Sequence, residues 1–256
     1  MPADSGPPPR TRPRVTAAVL AGGVGTRMGG PRPKQLLPLA GRPVIEHAIA
    51  AFCAAPEVDD VIVLMVADYV GEVEKIVAEG GHTKVSRVLP GGATRTETSA
   101  AALHALEGAG DDEIVLLHDA VRPLVTPDII RACIAALETA GAIGVAIPSS
   151  DTVVEAAPGT SGGEVIRQVP PRASLRRMQT PQGFRLGVIR RAYRLALADP
   201  ELVATDDCGV VLRYLPEVPV RLVPGAESNI KVTHPGDLGV AEALLRHREQ
   251  PDRGAR

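Results

Sequence analysis

Residues 15–35 read VTAAVLAGGVGTRMGGPRPKQ. The first six, rich in β-branched and small apolar side chains, predict a strand, and the glycines that follow predict a loop leaving its carboxyl end. Glycine lets backbone N–H groups approach a ligand with no Cβ in the way, and consecutive amides form an anion nest. With Arg27 and Lys34 added, both donors to phosphate oxygens, the best-matched ligand is a polyphosphate. A Walker loop would need Gly-Lys-Ser/Thr, a triplet absent from the chain. A dinucleotide fingerprint would need a third glycine where Met28 stands.

Working outward, further strands are predicted at 61–66, 84–89, 113–118 and 143–148. Helices are predicted near 43–54, 70–79, 96–107, 127–139 and 187–197. Strand and helix alternating at this spacing imply an α/β fold, a mostly parallel open sheet covered by helices on both faces. Such sheets bind ligands beyond the carboxyl ends of their strands, where both the glycine loop and HDAVRP (118–123) fall. The rhythm breaks at 151–170, which reads as a projecting β-arm around a Gly/Ser-rich turn. A strand near 220–224, the apolar stretch NIKVT (229–233) read as a further strand, and a helix over 235–247 close the chain.

Across 256 residues, 45% are hydrophobic and 2% aromatic, and 28 basic against 30 acidic residues leave a net charge of −2. That core fits one large domain, here 14–247, between a Pro-rich N-terminal tail (1–13) and a C-terminal tail (248–256). The charge gives no bulk attraction to nucleic acid, and the aromatic scarcity removes stacking platforms for single strands. Cys53, Cys133 and Cys208 lie far apart in sequence, against a disulfide framework or structural zinc, and suit a reducing cytoplasm. No apolar run has membrane-spanning length, and the N-terminus lacks the apolar core of a signal peptide.

AGGVGTRMG followed by PKQ resembles the signature of nucleotidyltransferases with a glycosyltransferase-A-like fold, which join a nucleoside triphosphate to a phosphorylated sugar or polyol. LLHDAVRP (116–123), SDTVV (150–154), RASLRRMQTPQGF (172–184) and NIKVT follow in order. Together they resemble the cytidylyltransferases acting on 2-C-methyl-D-erythritol 4-phosphate and their relatives acting on ribitol 5-phosphate. The implied reaction transfers CMP from CTP to the polyol phosphate and releases pyrophosphate. Methylerythritol enzymes usually carry P-A-A-G-x-G-x-R where this chain has L-A-G-G-V-G-T-R. That difference lies beside the nucleotide, so ribitol 5-phosphate stays open as the acceptor. A sugar-1-phosphate nucleotidyltransferase or a non-catalytic nucleotide-binding protein on the same fold also stays open.

The resemblance assigns roles residue by residue. Arg27, Lys34 and Lys231 match catalytic cations around the phosphates. Ala21, Gly22, Gly23, Val24 and Gly25 would wrap the triphosphate. Gly91, Gly92 and the Thr98 hydroxyl match a base-reading loop, although Thr98 equally suits a helix first turn with a local backbone bond. Asp119 is placed near the ribose and an Mg²⁺ ion, with helix capping as its alternative. Arg122, Thr152, Arg172 and Thr180 match acceptor-binding positions. Thr152 lies on the arm, which in the family crosses to a second subunit, so a homodimer is implied. His118 reads as a buried structural residue rather than a base. Arg95 has no definite place, and TDD (205–207) is a family-like spot without a firm role, whose acids equally suit a helix cap and first-turn charge.

Overall fold

The structure is a computed structural model describing residues 12–23, 32–160 and 162–249. The two tails (1–11 and 250–256), and Val24, Gly25 and Arg27 of the glycine loop, lie outside the described residues.

In chain order the elements are β1 (Val15–Ala21), β2 (Pro38–Leu39), β3 (Arg42–Pro43), α1 (Val44–Ala54), β4 (Asp60–Met65), α2 (Val70–Glu79) and β5 (Val85–Pro90). Then come α3 (Arg95–Ala105), β6 (Ile114–Asp119), α4 (Pro127–Ala136), β7 (Ala142–Pro148), β8 (Glu155–Pro158) and β9 (Glu164–Gln168). Finally come β10 (Arg176–Arg185), α5 (Leu186–Ala196), α6 (Asp207–Tyr214), β11 (Val220–Pro224) and α7 (Pro235–Glu249).

Seven strands form one sheet in the order β11-β7-β10-β6-β1-β4-β5. All neighbours pair in parallel except β10, which runs antiparallel to both β6 and β7. Alternation along β1 builds a core on each face. Val15, Ala17, Val19 and Ala21 pack on one side with Ile45, Ile49 and Phe52 of α1. Ala18 and Leu20 pack on the other with Ala102 of α3 and Ile189 of α5. Strands buried on both faces read as continuous apolar runs, and this is why β1, β4, β6 and β7 are visible in the sequence.

Two expectations are corrected. Residues 229–233 join no ladder: the Asn229 N–H donates to the Ala226 carbonyl and the Val232 N–H to the Val121 carbonyl, both in loops. The RRMQTPQGFR stretch, not read as a strand, is the ten-residue β10, broken by a bulge between Met178 and Gln182. The arm is present as the hairpin β8–β9, a sheet of its own. Among the described residues no helix is long and apolar enough to cross a membrane.

Candidate active site

At the centre stands Asp119, the last residue of β6, 7% exposed. Its neighbour His118 is fully buried, and its Nε2 lies 3.1 Å from the Arg122 carbonyl. A carbonyl only accepts, so Nε2 carries the proton and Nδ1 accepts from the Thr180 hydroxyl at 3.0 Å. Thr180 Oγ1 in turn accepts from the Asp119 N–H at 3.1 Å. This directional chain, closed by the Arg122 N–H to the Asp119 carbonyl at 2.9 Å, fixes the turn 119–122. Burial, against the pull of the Arg122 carbonyl, pushes the His118 pKa down to about 4. The ring is therefore neutral and fully engaged, as the sequence suggests.

Three cations surround the Asp119 carboxylate. Lys231 Nζ donates to Oδ2 at 2.7 Å, Arg95 Nε donates to Oδ1 at 3.1 Å, and Arg122 Nε lies 4.0 Å from Oδ2. Burial alone would raise this carboxyl, but Arg95 and Lys231 outweigh it and hold it well below the usual carboxylate range. Arg95 owes its position to a capping box: the Thr94 hydroxyl accepts from the Glu97 N–H, and the Glu97 carboxylate accepts from the Thr94 N–H. The first residue of α3 is thereby aimed at the end of β6. Behind it, Asp207 is fully buried, accepts from the Tyr193 hydroxyl at 2.6 Å, and lies 2.7 Å from Arg95 Nη1. The attraction between these opposite charges is strengthened by the buried, low-dielectric setting. Arg95, undecided from sequence, is thus a central residue. The T-x-x-E spacing was the available signal.

Two cavities open on either side of this cluster. One, of about 190 Å³, is lined by Gly22, Gly23, Lys34, Gln35, Thr98 and Val121 together with Arg95, Asp119 and Lys231. The other, of about 260 Å³, is lined by Arg122, Gln179, Thr180, Gln182 and Asp206 and shares the same Arg95, Asp119 and Lys231. Asp119 and its two cations therefore form a common wall. Arg95 Nη2 and Arg122 Nε are both buried without an acceptor among the described residues.

The glycine loop begins under a clamp. Gln35 Nε2 donates to the Ala21 and Gly23 carbonyls at 2.9 and 2.7 Å, which gives the PKQ stretch its structural part. Gly22 packs against the loop after β5, where a Cβ on it would stand 2.2 Å from Thr98 Oγ1. The amides of that loop are turned inward: Gly91 N–H to the Met65 carbonyl, Gly92 N–H to Thr98 Oγ1 and Ala93 N–H to the Glu97 carboxylate. Thr98 donates its hydroxyl to the Thr94 carbonyl at 2.8 Å and is 1% exposed, so the local backbone bond is realised. Their amides thus being engaged, Gly91 and Gly92 keep only carbonyl oxygens to offer a ligand, and neither lines the two cavities.

Asp206 is the N-cap of α6, accepting from the Gly209 N–H at 2.8 Å, and Asp207 is its first helical residue, which realises the capping alternative left open for TDD. Thr152 and Arg172 are exposed and line neither cavity; among the described residues Arg172 donates to the Ser150 carbonyl, at 3.3 Å. Within one chain these two stay apart from Asp119.

Comparison with known proteins gives the same picture. Residues 15–247 match the family model described as IspD, 2-C-methyl-D-erythritol 4-phosphate cytidylyltransferase. A 2-C-methyl-D-erythritol 4-phosphate cytidylyltransferase of Thermobifida fusca is 65% identical over 93% of this chain and 96% of its own. A bifunctional ribulose 5-phosphate reductase/CDP-ribitol pyrophosphorylase of Haemophilus influenzae is 40% identical over 90% of this chain and 48% of its own. The crystal structure of a 4-diphosphocytidyl-2C-methyl-D-erythritol synthase from Anaerococcus prevotii superposes with a TM-score of 0.78 at 28% identity, covering 91% of this chain and 96% of that one. A seven-stranded sheet with Asp119 and its cations beyond the strand ends, and a match spanning nearly the whole chain, lead to one conclusion: this chain belongs to the IspD family of 2-C-methyl-D-erythritol 4-phosphate cytidylyltransferases.

Proposed function

We propose that the chain transfers CMP from CTP to 2-C-methyl-D-erythritol 4-phosphate, with the nucleotide in the cavity beside Gly22 and Lys34 and the acceptor phosphate in the one beside Arg122. The observation that carries this reading is the shared wall of Asp119, Arg95 and Lys231 between the two cavities. An acceptor phosphate oxygen attacks the α-phosphorus in line. The new O–Pα bond forms as the bond from Pα to the β-bridging oxygen breaks, and pyrophosphate carries away the electron pair. Charge building on the α-phosphate oxygens is opposed by Lys34 and Lys231, and by Arg27 from the glycine loop. A phosphate monoester has its second pKa near 6, so no strong base is required, in keeping with a buried neutral His118.

Mg²⁺ fits the donor set in one way. Among the described residues no cluster of three or more His, Cys, Asp or Glu is placed to cage a metal, and the cavity beside Gly22 and Lys34 offers one carboxylate, that of Asp119. That suits an ion that keeps waters and takes the rest of its ligands from phosphates. Bound there, it would neutralise triphosphate charge. Asp119 would hold it, at the expense of its contact with Lys231 or Arg95.

The arm supports a homodimer. Val153, Val154, Val165, Ile166 and Val169 are all exposed, Ile166 by 66%, on a hairpin that lacks a core of its own. A second copy would cover them, and would bring its Thr152 and Arg172 to the acceptor side of this chain's cleft. Free Cys53, Cys133 and Cys208 agree with a cytoplasmic location.

Pyrophosphate release with CTP and Mg²⁺, run in parallel with methylerythritol 4-phosphate and ribitol 5-phosphate, tests the reading. Preference for the first is expected. Preference for ribitol 5-phosphate would overturn the acceptor while keeping the mechanism, and CTP binding without turnover on either would overturn both.

A further inference from the structure

We infer that Asn229 is a positioning residue for the reaction, acting through Lys231 two residues later. The inference rests on the reading of Lys231 as a phosphate-binding cation. Lys231 stands on a stretch with no ladder bonds, so its reach to Asp119 is set by how 229–233 is anchored at its ends. At the far end the Val232 side chain is fully buried and its N–H is held by the Val121 carbonyl at 2.8 Å.

At the near end the anchor is Asn229, which has no exposed surface. Its Nδ2 donates to the Thr180 carbonyl at 2.9 Å and to Gln179 Oε1 at 3.3 Å. Both partners are acceptors, which fixes the amide with its nitrogen toward them and leaves Oδ1 buried without a donor. A buried polar group with half its capacity unmet is costly in a purely structural role, where an apolar residue of the same shape would pack at lower cost. The Asn229 carbonyl also accepts from Arg122 Nη1 at 2.8 Å. One residue thereby ties the β10 bulge, which carries Gln179 and Thr180, to Lys231 and Arg122, the two cations on the Oδ2 side of Asp119.

Loss of the side-chain amide frees the segment at one end and lets the Lys231 ammonium wander from its place by the Asp119 wall. Lost alignment of one cation of this kind costs on the order of 10-fold or more in turnover. The test compares wild type, Asn229→Ala, the similarly sized Asn229→Leu, Lys231→Ala and the Asn229→Ala/Lys231→Ala double variant. Each is assayed for kcat, for KM of both substrates, and for melting temperature. Expected are a fall in kcat of at least 10-fold in the folded Asn229 variants, KM for CTP within about 3-fold of wild type, and less than 2-fold further loss when Asn229→Ala is added to Lys231→Ala. Should Asn229→Ala fail to fold, Asn229→Leu, close in volume and adding no charge, decides in its place. Near-normal kcat in a folded Asn229 variant beside an impaired Lys231→Ala would overturn the inference alone, as would full multiplication of the two losses. Near-normal turnover in Lys231→Ala would remove Lys231 from the mechanism and the inference with it.

Discussion

Acidification probes the hydrogen-bond chain under the active-site turn. His118 is neutral in the folded chain because burial pushes its pKa from 6.5 down to about 4. Unfolding exposes the ring and restores the ordinary value, so the unfolded chain takes up the proton first. Stability is whole above pH 6.5, falls as pH drops between 6.5 and about 4, and levels off below that. Between pH 7.5 and 4.5 the unfolded ring is protonated across two units while the folded ring stays mostly neutral. At about 1.4 kcal/mol per unit this amounts to a loss of about 2.5 kcal/mol. The groups facing His118 are Asp119, which favours its protonation, and Arg122 and Arg95, which oppose it. Asp119 itself is held well below the usual carboxylate range, so its own contribution is lost only below about pH 4 and stays outside this window. The assay is urea unfolding in metal-free buffer at both pH values, for wild type and His118→Gln. Glutamine keeps a donor for the Arg122 carbonyl and does not titrate. The variant will be less stable at both pH values, but its acid loss should be smaller than that of wild type by about 2.5 kcal/mol. Equal acid losses would refute the neutral ring, and with it the directional chain from Asp119 N–H through Thr180 to His118.

The remaining predictions concern the cleft and the arm. Asp119→Asn should cut turnover by about 10²–10³-fold and raise the Mg²⁺ concentration giving half-maximal rate, read by pyrophosphate release; an unchanged Mg²⁺ dependence would remove Asp119 as the ion's holder. Gly92→Ala would set a Cβ 2.1 Å from Glu97 Cβ, inside the capping box that aims Arg95. It should cost about 1–3 kcal/mol in thermal or urea unfolding and lower kcat as well, and a variant with wild-type stability would contradict the packing. Ile166→Asp on the arm should yield a monomer in sedimentation velocity with turnover reduced at least 10-fold, whereas an intact dimer would show that the arm is not the interface.

What the sequence reveals here follows from periodicity. Strands buried on both faces, such as IVLLHD (114–119), announce themselves as apolar runs, and the loops that follow them carry glycines and charges out of proportion to a turn's needs. The antiparallel β10 stayed hidden because its middle is Gln179, Thr180, Pro181 and Gln182, and the three polar side chains among them are buried to satisfy β6 and the segments around Asp206 and Asn229. Such residues carry no period. Lys231 was legible as a lone cation among apolar neighbours, but the same apolar neighbours imitated a strand. Arg95 was illegible because its partners, Asp119 and Asp207, lie 24 and 112 residues away, and only the fold brings them together.

The charge of the cleft explains why so much polar structure is buried behind it. Around the shared wall, the described residues place Lys34, Arg95, Arg122 and Lys231 against the carboxylates of Asp119, Asp206 and Asp207, in a chain whose net charge is −2. A chain with no general basic character thus concentrates positive potential at one place, where low-dielectric walls strengthen it. Cations held so close repel one another, and each needs a fixed counterweight to stay at its post before a phosphate arrives. Asp119 is that counterweight in front and Asp207 behind. Asp207 is itself held by the Tyr193 hydroxyl and by its own N–H, which donates to Gln182 Oε1 at 2.9 Å. An incoming triphosphate meets cations already in position, so part of the cost of gathering them is met during folding rather than in the transition state.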